Sequence, residues 1–129
     1  MAAEYYVLSM LYRKGLNAYL TLGNKKAVDI IVDRGSKIIT LDVKGMIGKT
    51  LWPMDNYTGG RKNHFVIFVS FRDRMEDCEI VPAAYIVPSL RVRSFFYRNP
   101  KGTRVGVRMT ELEERGRQYK DAWKLLRAR

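Results

Sequence analysis

AVDIIVDRGSKIITLDVK (residues 27–44) is the stretch on which the reading of this chain turns. Two β-branched runs, 27–32 and 37–43, flank the turn-rich DRGS of residues 33–36, so a β-hairpin is predicted. With Arg34 and Gly35 at the centre of a tight turn, Val28 lies opposite Leu41, Ile30 opposite Ile39 and Val32 opposite Lys37. Side chains alternate along a strand with period two. Val28, Ile30, Val32, Ile39, Leu41 and Val43 therefore share an apolar face. Asp29, Ile31, Thr40, Asp42 and Lys44 share the other. In this register Asp29 faces Thr40, and Asp42 is its diagonal neighbour at about 7 Å. Two carboxylates at that spacing can hold one hard cation between them, with Lys44 one pleat further along.

That arrangement suits phosphodiester hydrolysis. The transition state gathers negative charge on phosphate oxygens, and a carboxylate-held Mg²⁺ (or Mn²⁺) offsets it while acidifying a bound water. Asp29 and Asp42 are the predicted metal ligands, and Lys44 the residue that orients water or stabilises the developing charge. The backbone carbonyl of Val43 joins the ligand set if that strand edge is open. The competing reading of Asp42 and Lys44 is a solvated strand face with an ion pair. Asp29 fits that reading less well, because it interrupts the apolar run VDIIV.

Outward from the hairpin, residues 3–14 have helical spacing, and Gly15 follows the basic pair Arg13-Lys14 as a helix-ending glycine. Glu4 shares a stripe with Leu8 and Leu11. A carboxylate on a core-facing stripe needs a metal or Lys44 as partner, whereas the plain alternative is an acid favoured at a helix N-terminus. Residues 16–22 read as extended, and 45–60 as a long loop. HFVIFVSF (64–71) reads as a buried central strand. Residues 78–81 are expected as a short strand, 83–90 as one or two helical turns, and Thr110 with Glu113 as a capping box opening a helix to about Leu126. No repeat or linker interrupts the chain, so one domain over 1–129 is expected.

Charge is the most telling bulk property. Twenty-four Lys and Arg against 13 acids give a formal net charge of +11, which points to an anionic partner. DNA is the expected one, RNA remaining open, because phosphate binding releases counterions. Lys25, Lys26, Arg61, Lys62, Arg91, Arg93, Arg98, Lys101 and Arg104 are the candidate contacts. Phe95, Phe96 and Tyr97, inside the basic stretch 91–108, either stack on bases or belong to the core. No apolar run is long enough to cross a bilayer, and no signal-peptide pattern opens the chain, so no membrane partner and a cytoplasmic address are expected. Cys78, the single cysteine, rules out an internal disulfide, and the single histidine, His64, is read as a strand-start residue rather than a base. GMIGKT (45–50) lacks the first glycine of a phosphate-binding loop.

The order of helical Glu4, Asp29 in AVDIIV and Asp42-Val43-Lys44 in ITLDVKG resembles the PD-(D/E)xK nuclease superfamily. Within it the chain is similar to restriction-endonuclease-like proteins, archaeal Holliday-junction resolvases and small bacterial members. The stretches AEYYVLSMLYRKG, LTLGNKKAVDIIV, EIVPAAYIV and KDAWKLL share in the likeness. Val28 stands where the motif has proline, and Asp42 fills its middle position. The resemblance implies an α/β fold, a mixed β-sheet flanked by helices, and a magnesium-dependent DNA endonuclease, with branched or junction DNA among its substrates. It also implies a homodimer to cut two strands, for which Trp52 and Tyr57 in the long loop are the candidate surface. The rival expectations are a catalytically inactive nucleic-acid-binding module of the same fold and a basic subunit of a protein assembly.

Overall fold

A computed structural model describes residues 1–21 and 28–127 of the chain. Helix α1 (Ala2–Arg13) buries Ala3, Val7 and Leu11 on one stripe, and Gly15 takes the left-handed φ of +78° that releases the chain into the sheet. Eight strands follow: β1 (Asn17–Leu20), β2 (Ile30–Asp33), β3 (Ile38–Met46), β4 (Leu51–Pro53), β5 (His64–Ser70), β6 (Ala83–Pro88), β7 (Phe96–Arg98) and β8 (Val105–Arg108). The main sheet has the order β1-β2-β3-β5-β6. Only β3 and β5 pair in parallel, the other neighbours being antiparallel. β4, β8 and β7 make a second, three-stranded antiparallel sheet. The expected α/β class, a mixed sheet flanked by helices, is what the chain forms. Among the described residues no helix is long and apolar enough to cross a membrane.

Strand alternation divides the core into two layers. On one face of the main sheet Ile30, Val32, Ile39, Leu41, Ile67 and Ile86 pack against α1 and against Trp123 and Leu126. On the other, Val66, Phe68, Tyr85 and Val87 lie under Trp52, Phe95, Val107 and Leu112 of the second layer. That second layer sits over β5 and β6. The same face of β1, β2 and β3 carries Tyr19, Ile31 and Thr40, none of them buried. A half-covered sheet, with a step between its covered and open halves, is the feature that positions the site.

Several sequence expectations fail, each for a physical reason. Residues 45–60 are not one loop, because β3 runs on to Met46 and β4 follows it. Trp52 is fully buried, its Nε1 donating to the Val69 carbonyl at 3.0 Å. Tyr57 is half-buried and donates to the Ser89 carbonyl at 2.7 Å, so neither is an exposed dimer surface. Residues 78–81 form turns rather than a strand, and the stretch expected to be helical is β6. Ala83 and Ala84 carry helix propensity, but burial from Ala83 to Val87 and pairing with β5 override it. The long C-terminal helix is also absent. Helix α2 spans only Met109–Arg115, with Arg108 at its N-cap and no side-chain cap bond, so Thr110 lies inside it.

Helix α2 stops because its intended stripe serves two cores. Leu112 packs in the second layer, whereas Trp123 and Leu126 pack beside α1 on the opposite face of the sheet. A straight helix cannot reach both faces. After Gly116 the chain instead rounds the edge of β6 through two short 3-10 helices, Arg117–Tyr119 and Trp123–Leu126. Lys120 bridges to Tyr85 and the Asp121 amide donates to the Ala84 carbonyl at 2.9 Å, which covers that edge. At the far edge, the Tyr12 hydroxyl donates to the Ala18 carbonyl at 2.8 Å.

Candidate active site

The hairpin turns over four residues rather than two. Arg34 donates its amide to the Lys37 carbonyl, Gly35 takes φ +83°, and the Asp33 carboxylate accepts the Gly35 amide at 2.9 Å. The pairs are therefore Ile30 with Leu41, Ile31 with Thr40 and Val32 with Ile39. This register differs by two residues from the expected one. A two-residue shift leaves the paired side chains on their predicted faces, but it moves Asp29 away from Thr40 to the end of the ladder, beside Leu41 and Val43.

Asp29 precedes β2 as a bend and shares Leu41 with Ile30. Its amide donates to the Leu41 carbonyl at 2.7 Å and its carbonyl accepts from Thr21 at 2.9 Å. Its Oδ2 accepts the Val43 amide at 2.8 Å. The Asp42 carboxylate is its neighbour. The Asp29 carboxyl is pushed up to about 6, chiefly by burial. The Val43 amide opposes that rise, and the neighbouring Asp42 and Glu4 carboxylates add to it. Asp42 is itself buried, and Lys44 places Nζ 3.6 Å from its Oδ2. Glu4 enters from the first turn of α1, its carboxylate 3.2 Å from the Met1 amine. Close approach of α1 to β3 brings it there: a Cβ on Gly45 would lie 2.7 Å from that of Ala3.

A divalent cation has a partial donor set here. Among the described residues no three His, Cys, Asp or Glu side chains form a ready-made cage. Asp29 and Asp42 supply two carboxylates whose mutual repulsion a cation would relieve. The β2–β3 ladder ends at the Ile30–Leu41 pair, so the edge of β3 beyond Leu41 is open on the β2 side. The amide and carbonyl of one strand residue point the same way. Since the Val43 amide points to Asp29, its carbonyl faces the same gap. The donor set fits a hard, oxygen-seeking ion.

Around this centre the structure brings together residues whose meeting sequence reasoning missed. Thr40 and His64 meet at 2.6 Å between Oγ1 and Nδ1. His64 starts β5 and is buried, and burial holds its ring down at about 4, with the Arg61 charge second. At pH 7 it is neutral. The Tyr57 hydroxyl, which donates to the Ser89 carbonyl, is raised, by burial first, with Arg93 opposing and Asp42 reinforcing. The Arg93 guanidinium lies 5.7 Å from the Tyr57 ring centre and 5.8 Å from that of Phe96. Only parallel pairing of β3 with β5 brings Thr40 to His64, and no local sequence pattern announces it.

The basic residues separate into groups. Arg61, Lys62, Arg91, Arg93, Arg98 and Lys101 are exposed. Arg104 is tied to Asp55, with Nε and Nη2 each 2.9 Å from its Oδ2. Lys25 and Lys26 lie outside the described residues. The aromatics of 95–97 are not free for bases: Phe95 is core, Phe96 lies beneath Arg93, and Tyr97 beneath Arg108 at 4.2 Å.

No protein-family model matches the chain, and no curated protein does. Among solved structures it is similar to a bacterial homing endonuclease, I-Ssp6803I, with a TM-score of 0.63 and 17% sequence identity. The match covers 97% of this chain and 88% of that one. At that identity the likeness is one of fold: the chain has the α/β fold of a known nuclease.

Proposed function

We propose that the protein is a metal-dependent endonuclease of the PD-(D/E)xK type that hydrolyses phosphodiester bonds in DNA. The juxtaposition of the Asp29 and Asp42 carboxylates, with Lys44 on the same face, carries this reading. When bound, Mg²⁺ or Mn²⁺ supplies Lewis acidity and a water of lowered pKa. Asp29, Asp42 and the Val43 carbonyl hold the ion. The Lys44 ammonium, 3.6 Å from Asp42, stabilises charge gathering on the scissile phosphate or orients the attacking water. Glu4 stands behind them as a further acid. Arg93, its guanidinium steadied by two rings, grips a backbone phosphate, and Arg61, Lys62, Arg91, Arg98 and Lys101 extend that grip. The step in the half-covered sheet leaves open the face beside the acids, and the fold is one that a DNA-cutting enzyme uses.

The test is a cleavage assay on branched, single-stranded and duplex DNA with Mg²⁺ or Mn²⁺ against EDTA. Wild type should cut with metal and not with EDTA. Asp42→Ala should fall to background while still binding DNA. Cleavage retained in Asp42→Ala, or binding without cutting under either metal, would overturn the reading.

A further inference from the structure

Register alone defines the surface beside the acids. Tyr19 pairs with Ile31 and Ile31 with Thr40, so these three form one row across β1, β2 and β3 on the site face. Beyond that row Thr21 bonds to Asp29, and Asp42 follows Thr40 two residues along β3 on the same face. Successive rows stand about 7 Å apart, one pleat repeat. Tyr19 is 55% exposed, and Ile38, further along the same face, is 49% exposed. The floor beside two carboxylates is thus apolar and aromatic, on a chain whose net charge is +11.

On the far side of Asp42 the same face is closed. Val66, Phe68, Tyr85 and Val87 lie under the second layer. A polymer with one phosphate at the acids therefore has the Tyr19–Ile31 row open to its next nucleotide. A paired duplex turns sugars and phosphates outward, and an apolar floor offers them nothing. An unpaired nucleotide turns its base face outward, and every base has a π-face that stacks on tyrosine. Arg61 is exposed in the stretch before β5, its amide held by the Ser89 hydroxyl, and is free to take the backbone while the floor takes the base.

We infer that the open face of β1–β3 is a binding site for an unpaired nucleotide of DNA, whose base stacks on Tyr19 and packs on Ile31 one row from the scissile phosphate. The inference rests on the endonuclease reading for the position of that phosphate. It narrows the substrate to DNA that is single-stranded or opened next to the cut, and it makes Tyr19 a substrate-selecting residue.

The experiment measures binding in EDTA by fluorescence anisotropy, using a labelled single-stranded oligonucleotide and its duplex, with wild type, Tyr19→Ala and Tyr19→Trp. Tyr19→Ala should weaken single-strand binding by about 5- to 100-fold, the effect of losing one base stack. Duplex binding should not change, and Tyr19→Trp should bind the single strand as wild type does. Equal binding of both DNAs by wild type and Tyr19→Ala overturns the inference, as does an equal loss on both. So does a Tyr19→Ala effect confined to self-association in sedimentation, which would assign the floor to a second copy. Cleavage assayed in parallel separates the two readings. A Tyr19-dependent single strand that is never cut leaves the floor standing and removes the nuclease. Cutting by a protein indifferent to Tyr19 does the reverse.

Discussion

An aspartate that enters a strand with its carboxylate beside a second one resists ionisation, and Asp29 is in that position. Its carboxyl moves from 3.8 to about 6, burial first among the causes. Between those values the folded chain holds a proton that the unfolded chain has released. Stability therefore falls as pH rises from about 4 to 6, and the full penalty persists above 6. Asp29→Asn keeps an oxygen for the Val43 amide and removes the charge. It should be more stable than wild type at pH 7.5 by about 1–2 kcal/mol after discounting for solvent screening, and equal to it near pH 4. Urea denaturation across that range checks this, and a parallel pH dependence in the two proteins would contradict it. Asp29 must also lose its proton to act as a ligand, so cleavage should rise with pH through about 6 and level off above it. A rate flat from pH 5 to 8 would show that Asp29 does not titrate in the reaction. The faces of Asp29, Asp42 and Lys44 were legible in the sequence, because period-two alternation survives any even shift of register. Their juxtaposition was not, because it depends on the Asp33 side chain holding the Gly35 amide and lengthening the turn.

At the scale of elements, the site depends on how closely α1 approaches β3. Gly45 permits that approach, since an added Cβ would stand 2.7 Å from the Ala3 Cβ. Gly45→Ala should cost about 1–3 kcal/mol by overpacking and should lower cleavage by displacing Glu4 and Lys44. The double variant with Ala3→Gly should recover cleavage, because the colliding atom is gone. Failure of that rescue would mean that the glycine serves the site in another way. Trp52 anchors the second layer through its bond to Val69 and its 5.2 Å contact with the Phe68 ring. Trp52→Ala should destabilise by about 3–5 kcal/mol, read by thermal or denaturant unfolding. Sequence patterning found α1, the hairpin and β5, whose periodicity or apolar continuity is strong. It missed β4, a strand of three residues, and it read residues 83–90, which hold β6, as helical turns. It also drew residues 110–126 as one helix, since Leu112 and Trp123 are both apolar, and no local pattern says that they belong to opposite faces of a sheet.

Across the whole molecule, a net charge of +11 becomes a statement about DNA only if the cations are free to meet phosphates. They are not equally free. Arg93 is exposed, and its nearest partners are aromatic rings, which orient a guanidinium without neutralising it. Arg104 is also exposed but already holds the Asp55 carboxylate through two nitrogens. Each phosphate contact contributes about 0.9 to the slope of log K against log salt for duplex DNA, and about 0.7 for a single strand. Arg93→Gln should therefore reduce the slope by roughly that amount. Arg104→Gln should reduce it less, because DNA must first displace Asp55 to gain the same contact. Asp55→Asn should steepen the slope by freeing Arg104. Anisotropy titrations over a range of potassium chloride concentrations measure all three. Equal slopes for the two arginine variants would mean that total charge, not the placement of cations, governs binding. Unequal slopes in the order given would tie affinity to the cations that no carboxylate already holds, Arg93 among them.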